Sequence, residues 1–403
     1  MSDFFQNGVI TTLHRLGNEP LEAIEGRLQA FRAANRVGLV IPCLISELDG
    51  PAIGPIVQNL TQIGYLEEIV VAIGRADRGQ FEEAQRFFSP LGPRVRLLWI
   101  EGPKIQGYIR ELSDSSLDIG GPGKGRATWL SMGYVLARGR STVIALHDAD
   151  ILTYDRWILA RLCYPLVDPS LGYDYTKGYY SRVTDRLHGR VTRLFVTPLI
   201  RALMSLAGPL PFLQYIDSFR YPLAGEFAMH SDLARSVRIP GDWGLEVGML
   251  AEVYRNSSLR RVCQVDVANT YDHKHQVLSE GDASAGLHRM ARDIAKSLLR
   301  TLAMEGLVFG EGFYKTLSVA YVRTAQDTVR AYYDDAAVNG LTFDRHAESR
   351  AVEVFTKALG LACSEFHENP LGVIGLPNWN RITSAIPDFL ERYRESIDAD
   401  NDQ

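Results

Sequence analysis

The chain has 403 residues, 46% hydrophobic and 23% charged, a globular composition with room for two or three domain-sized units. Its formal net charge of -5 provides no basic field, so neither nucleic acid nor an anionic membrane is the expected partner. Cys43, Cys163, Cys263 and Cys363 form no C-x-x-C pair, which argues against a zinc ribbon or a disulfide framework and fits a reducing compartment. The segment MSDFFQNGVITTLHRLG lacks a charged start followed by an unbroken apolar run, so a secretory leader is not expected. The most apolar long window, Val191 to Leu213, carries Arg193, Arg201 and three prolines, which argues against a membrane span. A cytoplasmic protein is expected.

Residues 1–35 read as a helical lead-in, because Leu21, Ile24, Leu28 and Phe31 recur at helical spacing with charges between them. Val37 to Pro42 reads as a strand, with Cys43 to Glu47 the loop at its carboxyl end and a helix over about 53–63 behind it. Glu68 to Gly74 repeats the pattern, followed by Arg75-Ala76-Asp77 and a helix over about 80–88, and Val95 to Ile100 is a third strand. This alternation predicts a parallel sheet with helices on both faces. Residues 102–123, with Gly107, Gly120, Gly121, Pro122 and Gly123, read as a mobile loop. It ends in Gly123-Lys124-Gly125, before a helix over 126–137. A lysine between glycines at a helix start can meet an anion, because backbone approaches closely there and free N-H groups add to its charge. The other reading is a solvated loop lysine. No Walker loop is present.

Val143 to Leu146 reads as a strand buried on both faces, and it ends abruptly in His147-Asp148-Ala149-Asp150. In an open parallel sheet ligands collect outside the carboxyl ends of the strands, where Asp148 and Asp150 can address one point. The pair can hold a hard divalent cation completed by substrate phosphate oxygens, or it can cap a following helix. Tyr173 to Tyr180 suits a strand beside this site. Gly189-Arg190-Val191-Thr192 and Tyr221 to Glu226 follow, then a helix opened by Trp243 to Gly248 and running through about Tyr254. A strand over Val262 to Val267 leads to Asp272-His273-Lys274-His275-Gln276. Either His273 or His275 can face the site, and either can equally be a hydrogen-bonded surface histidine. Apolar stripes over 287–306, 313–333, 345–366 and 379–396 predict helices that cover the core or form a homodimer interface. The acidic end, Asp398 to Gln403, reads as disordered.

Val40 to Glu47, Gly123 to Gly125, Asp148 to Asp150 and the late His273 stand in the order used by nucleotide-sugar glycosyltransferases of the GT-A fold. Over about residues 36–290 the chain resembles, more narrowly, the retaining glucosyl-3-phosphoglycerate synthases and their mannosyl counterparts. Gly189 to Arg193, Pro222 to Glu226 and Gly244 to Gly248 look like that family's acceptor-side motifs. The resemblance implies an α/β GT-A catalytic domain over 36–282, with a doubly wound, mostly parallel sheet, between the lead-in 1–35 and a C-terminal helical region over 283–403. It implies a donor site of Pro42, Cys43, Leu44, Glu47, Gly74, Asp77, Lys124, Asp148, Ala149 and Leu223. Asp150 and His273 would bind a divalent metal, with His275 as a competing ligand. Gly189, Arg190, Thr192 and Glu246 would bind 3-phosphoglycerate, and Asp150, Lys124, Glu226 and Glu246 would form the catalytic set. The chain departs from many relatives at Gly74-Arg75-Ala76-Asp77, where they carry a serine-rich turn.

The implied reaction is retaining transfer of glucose from UDP-glucose, or another NDP-glucose, to 3-phosphoglycerate, giving the precursor of the compatible solute glucosylglycerate. The cofactor would be Mg2+, Mn2+ or Co2+. Loss of the diphosphate leaves negative charge that a metal and Lys124 would stabilise, and Arg190 suits an acidic acceptor through a two-pronged hydrogen bond. No compelling nucleophile stands out, so attack on the same face as departure is expected. The alternatives are a mannosyl-3-phosphoglycerate synthase using GDP-mannose, an inverting polysaccharide-type transferase, and a catalytically dead nucleotide-binding scaffold.

Overall fold

Runs of Val, Ile, Leu and Ala build the sheet. In a computed structural model that describes residues 6, 8–273, 278, 282, 285–372 and 375–402, the strands are β1 (Thr11–Leu13), β2 (Val37–Leu44), β3 (Leu66–Gly74), β4 (Val95–Trp99), β5 (Val143–Leu146), β6 (Tyr175–Tyr180), β7 (Phe227–His230) and β8 (Val262–Ala268). They form one sheet in the order β1, β8, β6, β7, β5, β2, β3, β4. Strand β7 runs antiparallel to β5 and β6, and every other pairing is parallel. The chain is therefore an α/β protein with a mostly parallel sheet.

Period-two alternation divides each strand between two apolar layers. Ile144 and Leu146 of β5 join Val40, Val70 and Ala72 on one face, while Val143 and Ala145 join Leu39, Ile41, Ile69 and Val71 on the other. The second face is covered by helices Leu21–Phe31, Ile53–Thr61, Arg78–Phe88 and Arg156–Val167. The first is covered by Lys124–Arg138, Leu245–Asn256 and the C-terminal helices. The order of strands reverses between β2 and β5, which leaves a crevice at their carboxyl ends.

Four expectations are revised. The lead-in holds β1 as well as its helix, and β1 extends the sheet by pairing with β8 at Thr11 and Cys263. The supposed loop over 102–123 contains helix Pro103–Asp114, which opens on proline and buries Ile105 and Leu112. Its Gly107 lies on an open side where no packing is lost. The last apolar stripe is two helices, Trp379–Ala385 and Phe389–Asn401, separated around Pro387.

The fourth revision is the acidic end, which is helical through Asn401. Asn401 accepts a hydrogen bond from the Leu97 N-H and donates one to the Leu97 carbonyl, both at 2.8 Å. Asp400 pairs with Lys104 at 2.6 Å, and the Tyr134 hydroxyl donates to Asp398. The exposed edge of β4 is thus closed by side chains, which protects it from pairing with another chain. Trp379 stacks on Trp129 at 4.0 Å over Gly133, where any Cβ would strike the indole.

Candidate active site

The carboxyl ends of β2, β5, β6 and β8 and the start of β7 meet at one edge of the sheet. Leu146 is opposite Phe227, and Phe227 is opposite Lys177, so the 222–226 loop arrives beside the 147–150 turn. The approach is close: a Cβ on Gly225 would strike the Asp148 carboxylate. Helix Arg156–Val167 is capped by Asp155, whose side chain accepts from the Ile158 N-H at 3.3 Å. Neither Asp148 nor Asp150 serves as its cap.

Lys124 begins helix Lys124–Arg138 and is not a solvated lysine. Its Nζ lies 2.6 Å from Asp148 Oδ1 and 3.0 Å from Glu246 Oε1, the latter in the first turn of helix Leu245–Asn256. The flanking glycines are there for the protein's own backbone. A Cβ at Gly125 would strike the Pro240 carbonyl, and one at Gly123 would lie 2.5 Å from the Gly241 oxygen. Burial pulls the Lys124 ammonium down, but Asp148 and Glu246 hold it above its ordinary range. Burial likewise acts to raise Asp148, and Lys124, with His273 and His147, outweighs it and holds that carboxyl low.

Among the described residues Asp150 has no ion pair of this kind. Burial first, then Asp148, Glu47 and Glu226, push it up to about 7 against partial relief from Lys124. A carboxylate so crowded by negative charge is suited to a bound cation. His273 is opposite Ile151 in an antiparallel bridge, and Leu152 donates to the Asp272 carbonyl at 2.8 Å, so the two predicted metal segments lie side by side. Carboxylate oxygen with an imidazole nitrogen fits Mg2+ or Mn2+. Among the described residues no group of three His, Cys, Asp or Glu side chains forms a closed cage. His275 lies outside the described residues.

Glu226 is fully buried beneath this edge. It accepts from Tyr271 at 2.5 Å and Tyr180 at 2.8 Å, whose rings stack at 3.7 Å. Burial and Asp148 raise its carboxyl, and the two hydroxyls offset part of that. Beside it, Lys177 is also fully buried and donates to the Ala224 carbonyl at 2.5 Å. Burial pushes Lys177 down to about 8, with Glu246 and Glu226 acting in the other direction. Leu223 and Ala149 are buried in the same wall.

At the end of β2, Cys43 is buried, and its thiol is pushed up to about 12 by burial, with Glu47 and Asp150 as further negative neighbours. Pro42, Cys43 and Leu44 pair in register with Ala72, Ile73 and Gly74, which sets the β3 loop against the β2 loop. Asp77 caps helix Arg78–Phe88 in a capping box with Gln80, at 2.9 and 3.0 Å, so its side chain is engaged in holding that turn. Arg75 there has φ 62°, an uncommon conformation for a residue with a side chain, and its N-H donates to Glu101 at 2.7 Å.

Gly189, with φ 72°, packs under Tyr221: a Cβ would press on its hydroxyl at 3.3 Å. Tyr221 packs against Tyr180 at 5.1 Å, so the Gly189 segment connects to Glu226 through two aromatic rings. Arg190 precedes a π-helical turn, Val191–Val196, and its Nε donates to Glu348 at 2.8 Å. Thr192 is buried with its hydroxyl unbonded. The sequence reading gave no role to Lys177, Tyr180, Tyr271 or Glu348. A lone lysine inside an otherwise apolar and aromatic strand is a signal for Lys177, whereas Glu348 looks like any charge on a helical stripe.

A mostly parallel sheet with paired carboxylates and a lysine at its reversal point matches the architecture of the GT-A glycosyltransferases. Known proteins narrow the class. The chain is 47% identical over 401 residues to glucosyl-3-phosphoglycerate synthase of Persephonella marina, covering 100% of this chain and 99% of that protein. It is 37% identical over 404 residues to the synthase of Methanococcoides burtonii, covering 99% and 98%. It therefore belongs to the glucosyl-3-phosphoglycerate synthase family, which are glycosyltransferases. No protein-family model matches it. Among solved structures it is similar to mannosyl-3-phosphoglycerate synthase of Rubrobacter xylanophilus, at TM-score 0.56 and 22% identity over 74% of this chain and 83% of that one. It is also similar to glucosyl-3-phosphoglycerate synthase of Mycobacterium tuberculosis in complex with Mn2+, UDP and phosphoglyceric acid, at TM-score 0.51 and 25% identity, covering 72% and 86%. Among the described residues no helix is long and apolar enough to cross a membrane.

Proposed function

We propose that this chain transfers glucose from UDP-glucose to 3-phosphoglycerate with retention of configuration and with a divalent metal, Mg2+ or Mn2+. The observation that carries the reading is Lys124, fixed between Asp148 and Glu246 at 2.6 and 3.0 Å beside Asp150, whose carboxyl is raised by burial and by its acidic neighbours. The M. tuberculosis relative holds Mn2+, UDP and phosphoglyceric acid together, which supports the same ligand classes here.

Asp150 and His273 would hold the metal, which when bound supplies positive charge to the diphosphate leaving group. Lys124 adds a fixed second charge from the protein side. The 222–226 loop, held by Lys177 and Glu226, forms the wall on which the sugar rests. Arg190 offers a planar fork to the acceptor's phosphate or carboxylate. Asp148 and Glu246 are paired with Lys124, and Glu226 accepts two tyrosine hydroxyls. These engaged carboxylates favour attack on the face from which the nucleotide leaves, over a covalent intermediate. The same reading takes the enzyme to be cytoplasmic and a homodimer.

The test is incubation of UDP-glucose and 3-phosphoglycerate with enzyme and Mn2+, with and without chelator, and NMR of the product. Retained α-configuration and abolition by chelator are expected. An inverted product, or a trapped covalent glycosyl-enzyme, contradicts the mechanism.

A further inference from the structure

We propose that Glu348 is a positioning residue for the acceptor, so that the C-terminal helices complete the acceptor site. The inference rests on the reading of Gly189, Arg190 and Thr192 as the acceptor segment. Glu348 lies in the first turn of helix Arg345–Glu368 and is 4% exposed. One of its oxygens accepts from Arg190 Nε at 2.8 Å, and the other lies 3.0 Å from Arg193 Nη1.

These two arginines do different work. Arg193 is buried and turned inward, where it donates to the His188 carbonyl at 2.7 Å and the Leu187 carbonyl at 3.2 Å. It therefore clamps the turn that carries Gly189, and Tyr332 lies under its guanidinium at 4.8 Å. Arg190 is turned outward, with 38% of its side chain exposed. Its Nε is bound to Glu348, and among the described residues nothing takes its two terminal nitrogens. Those nitrogens are the pair that makes a two-pronged bond to an oxyanion.

A half-exposed ion pair contributes little to stability. It does remove rotamer freedom from a long side chain before the ligand arrives, which is how preorganisation raises affinity. The rest of the helical region grips the same segment. Thr342 donates to the Asp185 carbonyl at 2.8 Å and bridges Arg186, and the Tyr321 hydroxyl donates to the Leu194 carbonyl at 2.8 Å. Residues 185–194 are thus held at both ends by the helical region, through the linker at Thr342 and helix Glu311–Val338 at Tyr321.

The experiment compares wild type, Glu348→Gln, Glu348→Asp, Arg190→Ala and the Glu348→Gln/Arg190→Ala double variant, with UDP-glucose, 3-phosphoglycerate and Mn2+. It reads KM for each substrate, kcat and melting temperature. Glu348→Gln is expected to raise the acceptor KM at least tenfold, with the UDP-glucose KM within twofold of wild type. Glu348→Asp, which keeps the charge and draws it back one methylene, falls between the two. The double variant matches Arg190→Ala in acceptor KM, because Glu348 acts on the acceptor through Arg190, and it melts lower than Arg190→Ala because the Arg193 contact is also lost. An acceptor KM unmoved in both Glu348 variants, or donor and acceptor KM raised alike, overturns the inference while leaving the glucosyl-transfer reading standing. A wild type with no turnover dependent on 3-phosphoglycerate overturns both.

Discussion

The Lys124 ammonium and the Asp148 carboxylate meet at 2.6 Å, joining the start of one helix to the turn that ends β5. Asp148 holds this charge in place, and on the proposed reading the departing diphosphate meets it there. Replacing Lys124 by Met is expected to lower kcat by about 10²–10³, the loss typical for one preorganised charge-stabilising group. It also leaves Asp148 and Glu246 without a counter-ion, so the melting temperature should fall. Steady-state kinetics with a thermal melt checks both.

Asp150, pushed up from an ordinary 3.8 to about 7, gives a pH dependence with a definite sign. In metal-free protein the folded state keeps a proton there that the unfolded chain has already released. Stability from this group is therefore present below about pH 4 and is lost as pH rises to about 7. Asp148, held below its ordinary 3.8, adds no slope in that window. Chelator-treated wild type should melt at lower temperature at pH 7.5 than at pH 5 by more than Asp150→Asn does. With metal the sign reverses, because binding requires the ionised form. The concentration of Mn2+ needed for half-maximal activity should rise as pH drops below 7, by up to about tenfold per unit.

Gly225 is small because Asp148 occupies the space its side chain would need. Gly225→Ala should displace the Asp148 carboxylate from Lys124 and lower kcat more than tenfold, with circular dichroism unchanged. Activity near wild type would show that the loop yields instead.

Trp379, 1% exposed, stacks on Trp129 in the helix that begins with Lys124. Trp379→Ala should cost about 3–5 kcal/mol, the usual range for deleting a buried aromatic side chain. Denaturant unfolding measures it. A cost below about 1 kcal/mol would mean the C-terminal strap contributes little to the fold.

Strand β5 and the acids behind it were legible because a strand buried on both faces reads as an unbroken apolar run that stops where the site begins. Lys124 was legible through its flanking glycines, which also make room for the 240–241 backbone. Strands β1 and β7, of 3 and 4 residues, are too short to show a period, and β7 is fixed only by β5 and β6 on either side. Helix Pro103–Asp114 was hidden by the glycines around it, although proline at a helix start is favourable. The order of the acidic end depends on Leu97, Lys104 and Tyr134, between 264 and 304 residues earlier, and no local pattern encodes such contacts. Glu348 and Arg190 are separated in the same way: Arg190 was read as an acceptor ligand from its motif, Glu348 looked like any charge on a helical stripe, and only the fold brings them together.

The most direct measurement is a matrix of UDP-glucose, GDP-glucose, ADP-glucose and GDP-mannose against 3-phosphoglycerate and glycerate with Mn2+, reading nucleotide release and product mass. The account predicts that 3-phosphoglycerate, and not glycerate, accelerates release from UDP-glucose and yields a hexosyl-phosphoglycerate. Fastest turnover with GDP-mannose, or release indifferent to either acceptor, would contradict it.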